Sequence, residues 1–201
     1  MTSIFDGEAV RFDIPAGFRV GNYEILDRLG SGWTAETYLC RELPTGIRRA
    51  FKIYDQFDDR QAILNLKLVA HYADVLERVG DIAILPRYHH MGHLFLWSHD
   101  GLGHHYMIQE WIEHGPTPLS ACSREQVSAF LAKVKRVHAR GLALGDFEPE
   151  NLVVTPSGAI RMVDCDYGRP GRDNTNIEGD VRALGRLFKP FGFKDLWQAL
   201  R

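Results

Sequence analysis

Leu144-Gly145-Asp146-Phe147-Glu148-Pro149-Glu150-Asn151, continued by Leu152 to Val154, the turn Pro156-Ser157-Gly158, Ile160 to Val163 and then Asp164-Cys165-Asp166, decides how this chain is read. Two short apolar runs on either side of a Pro-Ser-Gly turn predict a hairpin. The open end of that hairpin would bring Asn151 and Asp164, thirteen positions apart, next to one another. Phosphoryl transfer needs a carboxylate beside the attacking hydroxyl and hard oxygen ligands that hold magnesium on the phosphates. Asp146, Asn151 and Asp164 would supply these. The plain alternative is a set of acidic loop residues that serve as caps and turns.

Upstream, Tyr23 to Leu29 and Thr37 to Cys40 read as strands around Gly30-Ser31-Gly32-Trp33-Thr34-Ala35. Small residues there let backbone amides approach a polyphosphate without Cβ clashes, although any hairpin can also turn on glycine. Pro44-Thr45-Gly46 then leads into a third strand, Arg49 to Tyr54, which carries Ala50-Phe51-Lys52-Ile53. A lysine set among apolar neighbours calls for an anion, which a nucleotide's phosphates would provide, unless it snorkels from an edge strand.

The rest of the chain predicts an alternation of elements. Residues 1 to 22 suit a loosely docked arm. Arg60 to Val79 repeats Ala62, Leu66, Val69, Ala73 and Leu76 at helical spacing. Ile82 to Tyr88 and Tyr106 to Ile112 look like two more strands. A helix starts at Ser123, which forms a capping-box pattern with Gln126, buries Val127, Phe130, Leu131, Val134 and Val137, and ends near Gly141. A closing helix runs from about Asp180 to Phe188, and Phe191, Phe193, Leu196 and Trp197 supply core at the C-terminal end. The class is α+β with two lobes.

Composition narrows the field. The 201 residues are 45% hydrophobic and 25% charged with a formal net charge of -2, so no basic field points to nucleic acid or anionic lipid. Three scattered cysteines, no signal-peptide pattern at the N-terminus and no apolar run of membrane-spanning length lead us to expect a cytoplasmic protein. His89, His90, His93, His99, His104 and His105 raise a metal reading, but a polar hairpin accounts for them.

From Tyr23 to Phe188 the sequence resembles the protein-kinase-like superfamily. The resemblance implies a bilobal fold with a shortened C-terminal lobe: an arm over 1–22, an N-lobe of sheet and one long helix over 23–111, and a C-lobe over 112–201. It implies ATP and Mg2+ as cofactors. Gly30, Ser31 and Gly32 would form the glycine-rich loop, Lys52 would position ATP, and Glu110 and Ile112 would meet adenine in the hinge, with Gln109 as gatekeeper. Asp146 would be catalytic, Asn151 and Asp164 would be metal ligands, and Asp180 would brace the catalytic loop.

The family pattern H-R-D-L-K-P-E-N reads L-G-D-F-E-P-E-N here. Gly145 before the aspartate is similar to RIO-like and lipopolysaccharide-kinase-like members, which lack the arginine that grips a phosphorylated loop. Glu148 replaces a lysine that neutralises the transferring phosphoryl group, and Asp164-Cys165-Asp166 replaces D-F-G. The glutamate that should pair with Lys52 is displaced by Lys67 and His71, which leaves Asp58, Asp59, Asp74 or Glu77 as substitutes. The expected function is transfer of the γ-phosphoryl of Mg-ATP to a hydroxyl, with protein serine or threonine favoured as acceptor and a protein substrate or partner expected. The alternatives are a small-molecule or lipid-sugar kinase, and a pseudokinase that serves as a nucleotide-binding regulatory module.

Overall fold

The computed structural model describes residues 12–32, 35–55, 59–95, 103–165 and 176–200, with backbone alone at 59–66 and 68. Trp33, Asp58, His99, Asp166 and the loop residues Pro170, Gly171 and Asn174 lie outside the described residues, as does the side chain of Asp59. The chain divides into two compact units, Met1–Ala73 with Tyr88–Trp111, and Asp74–Arg87 with Ile112–Arg201.

The first unit is built on a six-stranded antiparallel sheet. Its strands are β1 (Arg19–Val20), β2 (Tyr23–Ser31), β3 (Ala35–Glu42), β4 (Arg48–Tyr54), β5 (Tyr88–Phe95) and β6 (Gly103–Glu110), in the order β1-β2-β3-β4-β6-β5. Period-two alternation puts Ile25, Tyr38, Cys40, Phe51, Ile53, Tyr106 and Ile108 on one face, where they form a continuous apolar core. Phe51 stacks on Tyr106 at 4.9 Å and meets the edge of Tyr38. Ala50 and Met107 are buried on the opposite face, so β4 and β6 are covered on both sides.

Three expectations are corrected here. Residues 12 to 22 do not hang loosely: Phe12, Ile14 and Val20 are buried in that core, and Gly17 and Phe18 are tied to Ile25 by Gly17 N to Ile25 O and Ile25 N to Phe18 O, each 2.8 Å. The meander leaves one sheet face bare, and these apolar residues cover it; a two-residue strand such as β1 is too short for periodicity to reveal. Second, Ile82 to Tyr88 is not a strand. A 3-10 turn over Gly80–Ile82 leads to Ala83 in the left-handed region, and β5 starts only at Tyr88. Ile82, Ile84 and Leu85 are buried because the second unit takes them up, with Ile84 O accepting from Met162 N and Leu85 O from Arg161 Nη2. Third, β6 starts at Gly103 and ends at Glu110, so His104 and His105 lie within it.

The helix α1 (Asp59–Val79) follows β4 and belongs to the first unit as far as Ala73, with Val75, Leu76 and Val79 buried in its last turns. The second unit continues with α2 (Arg124–His138), the hairpin β7 (Leu152–Val154) and β8 (Ile160–Met162), and α3 (Ile177–Leu187). After Gly192 (φ 74°) a further helix, α4 (Phe193–Ala199), follows that was not expected as a separate element. Lys135 of α2 donates to Trp197 O and Leu200 O of the C-terminal end and lies over the Trp197 ring. Phe188, Phe193 and Leu196 are core, as the sequence suggests.

Cys40, Cys122 and Cys165 are buried and form no disulfide, and burial pushes the Cys40 thiol up to about 12. Among the described residues no helix is long and apolar enough to cross a membrane.

Ser123 caps α2 reciprocally: its Oγ accepts from Gln126 N at 3.2 Å, while its own N–H donates to Gln126 Oε1 at 2.6 Å. Ser123→Ala should lower the unfolding free energy by about 1 kcal/mol, read as a shifted urea midpoint with unchanged slope.

Candidate active site

In the second unit the candidate loop is held from below by a single carboxylate. Asp180 on α3 is 1% exposed. Its Oδ2 accepts from Leu144 N at 2.7 Å and lies 2.9 Å from His138 Nε2, while Oδ1 accepts from Gly145 N at 2.8 Å. Leu144 is fully buried and Phe147 is buried against Phe130 of α2, so apolar anchors flank the polar turn between them. Gly145 and Asp146 both take positive φ, 64° and 52°. Glycine enters that region at no steric cost; aspartate is one of the few other residues that tolerates it. The effect is to turn the Asp146 side chain out to solvent while the residues on either side are buried.

Asn151 closes the loop. Its Nδ2 donates to Asp146 Oδ2 at 2.8 Å and to Asp146 O at 3.1 Å, and the 3-10 turn Pro149–Asn151 leads straight into β7. Val163 N donates to Asn151 O at 2.9 Å, so the β7–β8 ladder runs one step further and delivers Asn151 and Asp164 from the same end, as the hairpin reading requires. Asp164 Oδ1 accepts from Cys165 N at 2.9 Å, and Glu148 is exposed. Three of the predicted residues, Asp146, Asn151 and Asp164, thus come from one local structure.

The remaining predicted residues, apart from Ile112, lie in the first unit. Among the described residues a Cβ built on Gly30 meets nothing within 4 Å, and one on Gly32 meets only Ala35 O at 3.9 Å. Among those residues neither position needs glycine for its own packing. Ser31 lies between them, opposite Glu36 in the ladder. Lys52 points to the face of the sheet that carries α1: its Nζ lies 5.5 Å from the centroid of the Tyr72 ring and 5.7 Å from that of Tyr54. Aromatic faces of this kind stabilise an ammonium by roughly 0.5–2 kcal/mol without neutralising it. Gln109 is buried on β6, and its Oε1 has no hydrogen-bond partner among the described residues. Glu110 ends β6 opposite Arg49; Ile112, the first residue of its segment in the second unit, is buried and offers its carbonyl to His114 Nδ1 at 2.9 Å.

The chain is similar to serine/threonine-protein kinases. Serine/threonine-protein kinase TOS3 of Saccharomyces cerevisiae is 23% identical over 186 residues, which cover 82% of this chain and 32% of the relative. CBL-interacting serine/threonine-protein kinase 12 of Arabidopsis thaliana is 26% identical, covering 75% of this chain and 30% of the relative. Serine/threonine-protein kinase D of Synechocystis is also 26% identical, over 73% of this chain and 30% of its own length. The chain therefore spans about a third of the length of these curated relatives. No family model matches it.

Sequence reasoning missed three contributors. Tyr72 fills the gap between Val69 and Leu76 in the buried stripe of α1, and the aromatic at that position was the available signal. His138, a lone histidine in the last turn of α2, meets Asp180. Glu36 gave no signal as a strand residue, yet it is completely buried. In the β5–β6 hairpin His93 and His105 face one another across the strands and His104 is buried beside Phe12; among the described residues no three His, Cys, Asp or Glu side chains gather around one point.

Replacing Asp180 by Asn puts an amide donor opposite a donor and removes the charge that two backbone N–H groups and a histidine share. Asp180→Asn should cost about 3 kcal/mol in denaturant unfolding, whereas Asp146→Asn, at an exposed position where Asn also accepts positive φ, should stay within about 1 kcal/mol of the parent.

Proposed function

We propose that this chain is an ATP-dependent phosphotransferase of the protein-kinase-like type, two-lobed with a shortened second lobe, that moves the γ-phosphoryl group of Mg-ATP to a hydroxyl, protein serine or threonine being the favoured acceptor. The observation that carries the reading is the loop from Leu144 to Asn151: a buried carboxylate fixes its backbone, a positive-φ pair presents Asp146, and Asn151 is bonded to that same aspartate at the mouth of the hairpin that ends in Asp164. A surface turn would need neither the buried brace nor the strained aspartate. The similarity to serine/threonine-protein kinases over three-quarters of the chain supports the same reading.

In this reading Asp146 accepts or orients the proton of the incoming hydroxyl, since its side chain is exposed and already held by the Asn151 amide. Asn151 and Asp164 present oxygen donors of the hard type that magnesium prefers, and magnesium when bound supplies neutralisation of the phosphate charge. Lys52, whose ammonium lies near the Tyr54 and Tyr72 rings, is assigned to the phosphates. The absence of a side chain at Gly30 and Gly32 suits close approach of the same phosphates, and the buried acceptor of Gln109, beside Glu110, suits a polar edge such as that of adenine.

A second reading, a nucleotide-binding module without transfer activity, is favoured by one observation. Glu148, two residues from Asp146, is an exposed carboxylate that would repel a transferring phosphoryl group.

The test is incubation with labelled ATP and magnesium, following autophosphorylation, transfer to a mixed protein acceptor, and hydrolysis. Asp146→Asn should reduce transfer by about a hundredfold to ten-thousandfold while ATP affinity stays within about threefold. Retained activity in that variant would remove Asp146 from the chemistry. ATP binding without any transfer by the parent, together with transfer gained in Glu148→Lys, would favour the module.

A further inference from the structure

Glu36 is a fully buried carboxylate at the start of β3, and burying such a charge costs several kcal/mol unless donors surround it. Donors do surround it. Its Oε2 accepts from Phe12 N at 2.6 Å, Asp13 N at 3.3 Å and the Tyr38 hydroxyl at 2.6 Å, and its Oε1 accepts from Arg28 Nε. Tyr38 in turn accepts from Ile14 N at 2.9 Å. Burial first, and the hydrogen bond to Glu36 second, raise the pKa of that hydroxyl above the ordinary tyrosine value, so it remains a donor. The far end of the chain of bonds is the informative one. The other side of the Arg28 guanidinium donates through Nη2 to Ser31 Oγ at 2.8 Å, and Ser31 is the residue between Gly30 and Gly32.

The ladder reaches this turn only after an irregularity. The β2–β3 register slips between Arg28 and Gly30 before Gly30 pairs with Thr37 and Ser31 with Glu36, and among the described residues a Cβ on either glycine would meet no atom closer than 3.9 Å. Two glycines on either side of one serine also carry the greatest backbone freedom, which any ligand of their amides must first remove. A link that pins Ser31 reduces that loss before binding occurs.

We propose that Glu36 is a positioning residue for the phosphate-binding turn, acting through Arg28 and Ser31 and anchored on the backbone of Phe12 and Asp13. This rests on the nucleotide reading above and adds to it the element that preorganises the turn. The contacts predict a specific signature: the link concerns the polyphosphate and not the base, so breaking it should separate ATP from adenosine.

The test uses the full chain at a temperature well below its unfolding midpoint. Arg28→Gln breaks the link at its half-exposed member, which is 40% exposed. Affinity for Mg-ATP should fall about tenfold, the scale of one lost hydrogen bond to a charged group, while affinity for adenosine should stay within about twofold. Ser31→Ala should weaken ATP in the same sense, and the double variant should be no worse than the weaker single by more than about twofold, because both cut one link. If Arg28→Gln fails to fold because Glu36 is left without its cation, Arg28→Gln combined with Glu36→Gln keeps amide hydrogen bonding without a stranded charge and should show the same ATP-selective loss. Equal weakening of ATP and adenosine, unchanged ATP affinity, or additive single effects would each overturn the proposal. A parent protein that binds neither ligand would instead overturn the nucleotide reading itself, and the positioning role with it.

Discussion

The Asp180 carboxylate is the constraint on which the candidate site depends. A buried charge of this kind is tolerable only when donors saturate it, and the three that do so, Leu144 N, Gly145 N and His138 Nε2, come from the loop and from the end of α2. Each donor fixes a different freedom. The two amides set the backbone just before Asp146, and the imidazole ties that backbone to the helix from which the loop departs. With those fixed, Gly145 and Asp146 have no room to relax to negative φ, and the aspartate is presented by the fold rather than by its own preference. Two side chains that sequence separates by 42 positions, with two backbone amides from between them, become one rigid corner.

The first unit solves the same problem with a different set of donors. Glu36 is also saturated by donors, but two of them belong to the main chain of a segment outside the meander and one to an arginine that reaches the glycine turn. Both carboxylates therefore convert a desolvation cost into backbone order, one beneath a loop that carries the proposed chemistry, the other beneath a turn that carries the proposed phosphate contacts. Lys52 follows a different rule. Tyr54 and Tyr72 shield it without cancelling its charge.

What the sequence revealed follows from the range of each interaction. α1, the capped start of α2 and the β7–β8 hairpin were legible because periodicity, a capping box and a Pro-Ser-Gly turn act within a few residues. The arrangement of Asp146, Asn151 and Asp164 was legible for the same reason: one turn and one hairpin relate them. Ile82 to Leu85 misled because an apolar run looks alike whether it is a buried strand or a buried irregular segment, and only the donors Met162 N and Arg161 Nη2, far along the chain, distinguish the two. Glu36 was illegible for a related reason. A glutamate in a strand reads as solvent-facing unless the partner segment that buries it is known.

The segment from Phe12 to Val20 also bears on where this fold can be cut. A chain begun at Tyr23, where the meander starts, would keep every strand of the sheet except β1 and every residue of the proposed chemistry. It would nevertheless bare the Ile25, Tyr38, Phe51, Ile53, Tyr106 and Ile108 face, unpair the edge of β2, and strand Glu36 with two of its donors gone. An apolar sheet face beside an open strand edge is the usual starting point for sticking to other copies. Solubility, rather than catalysis, is the property that these few residues govern first.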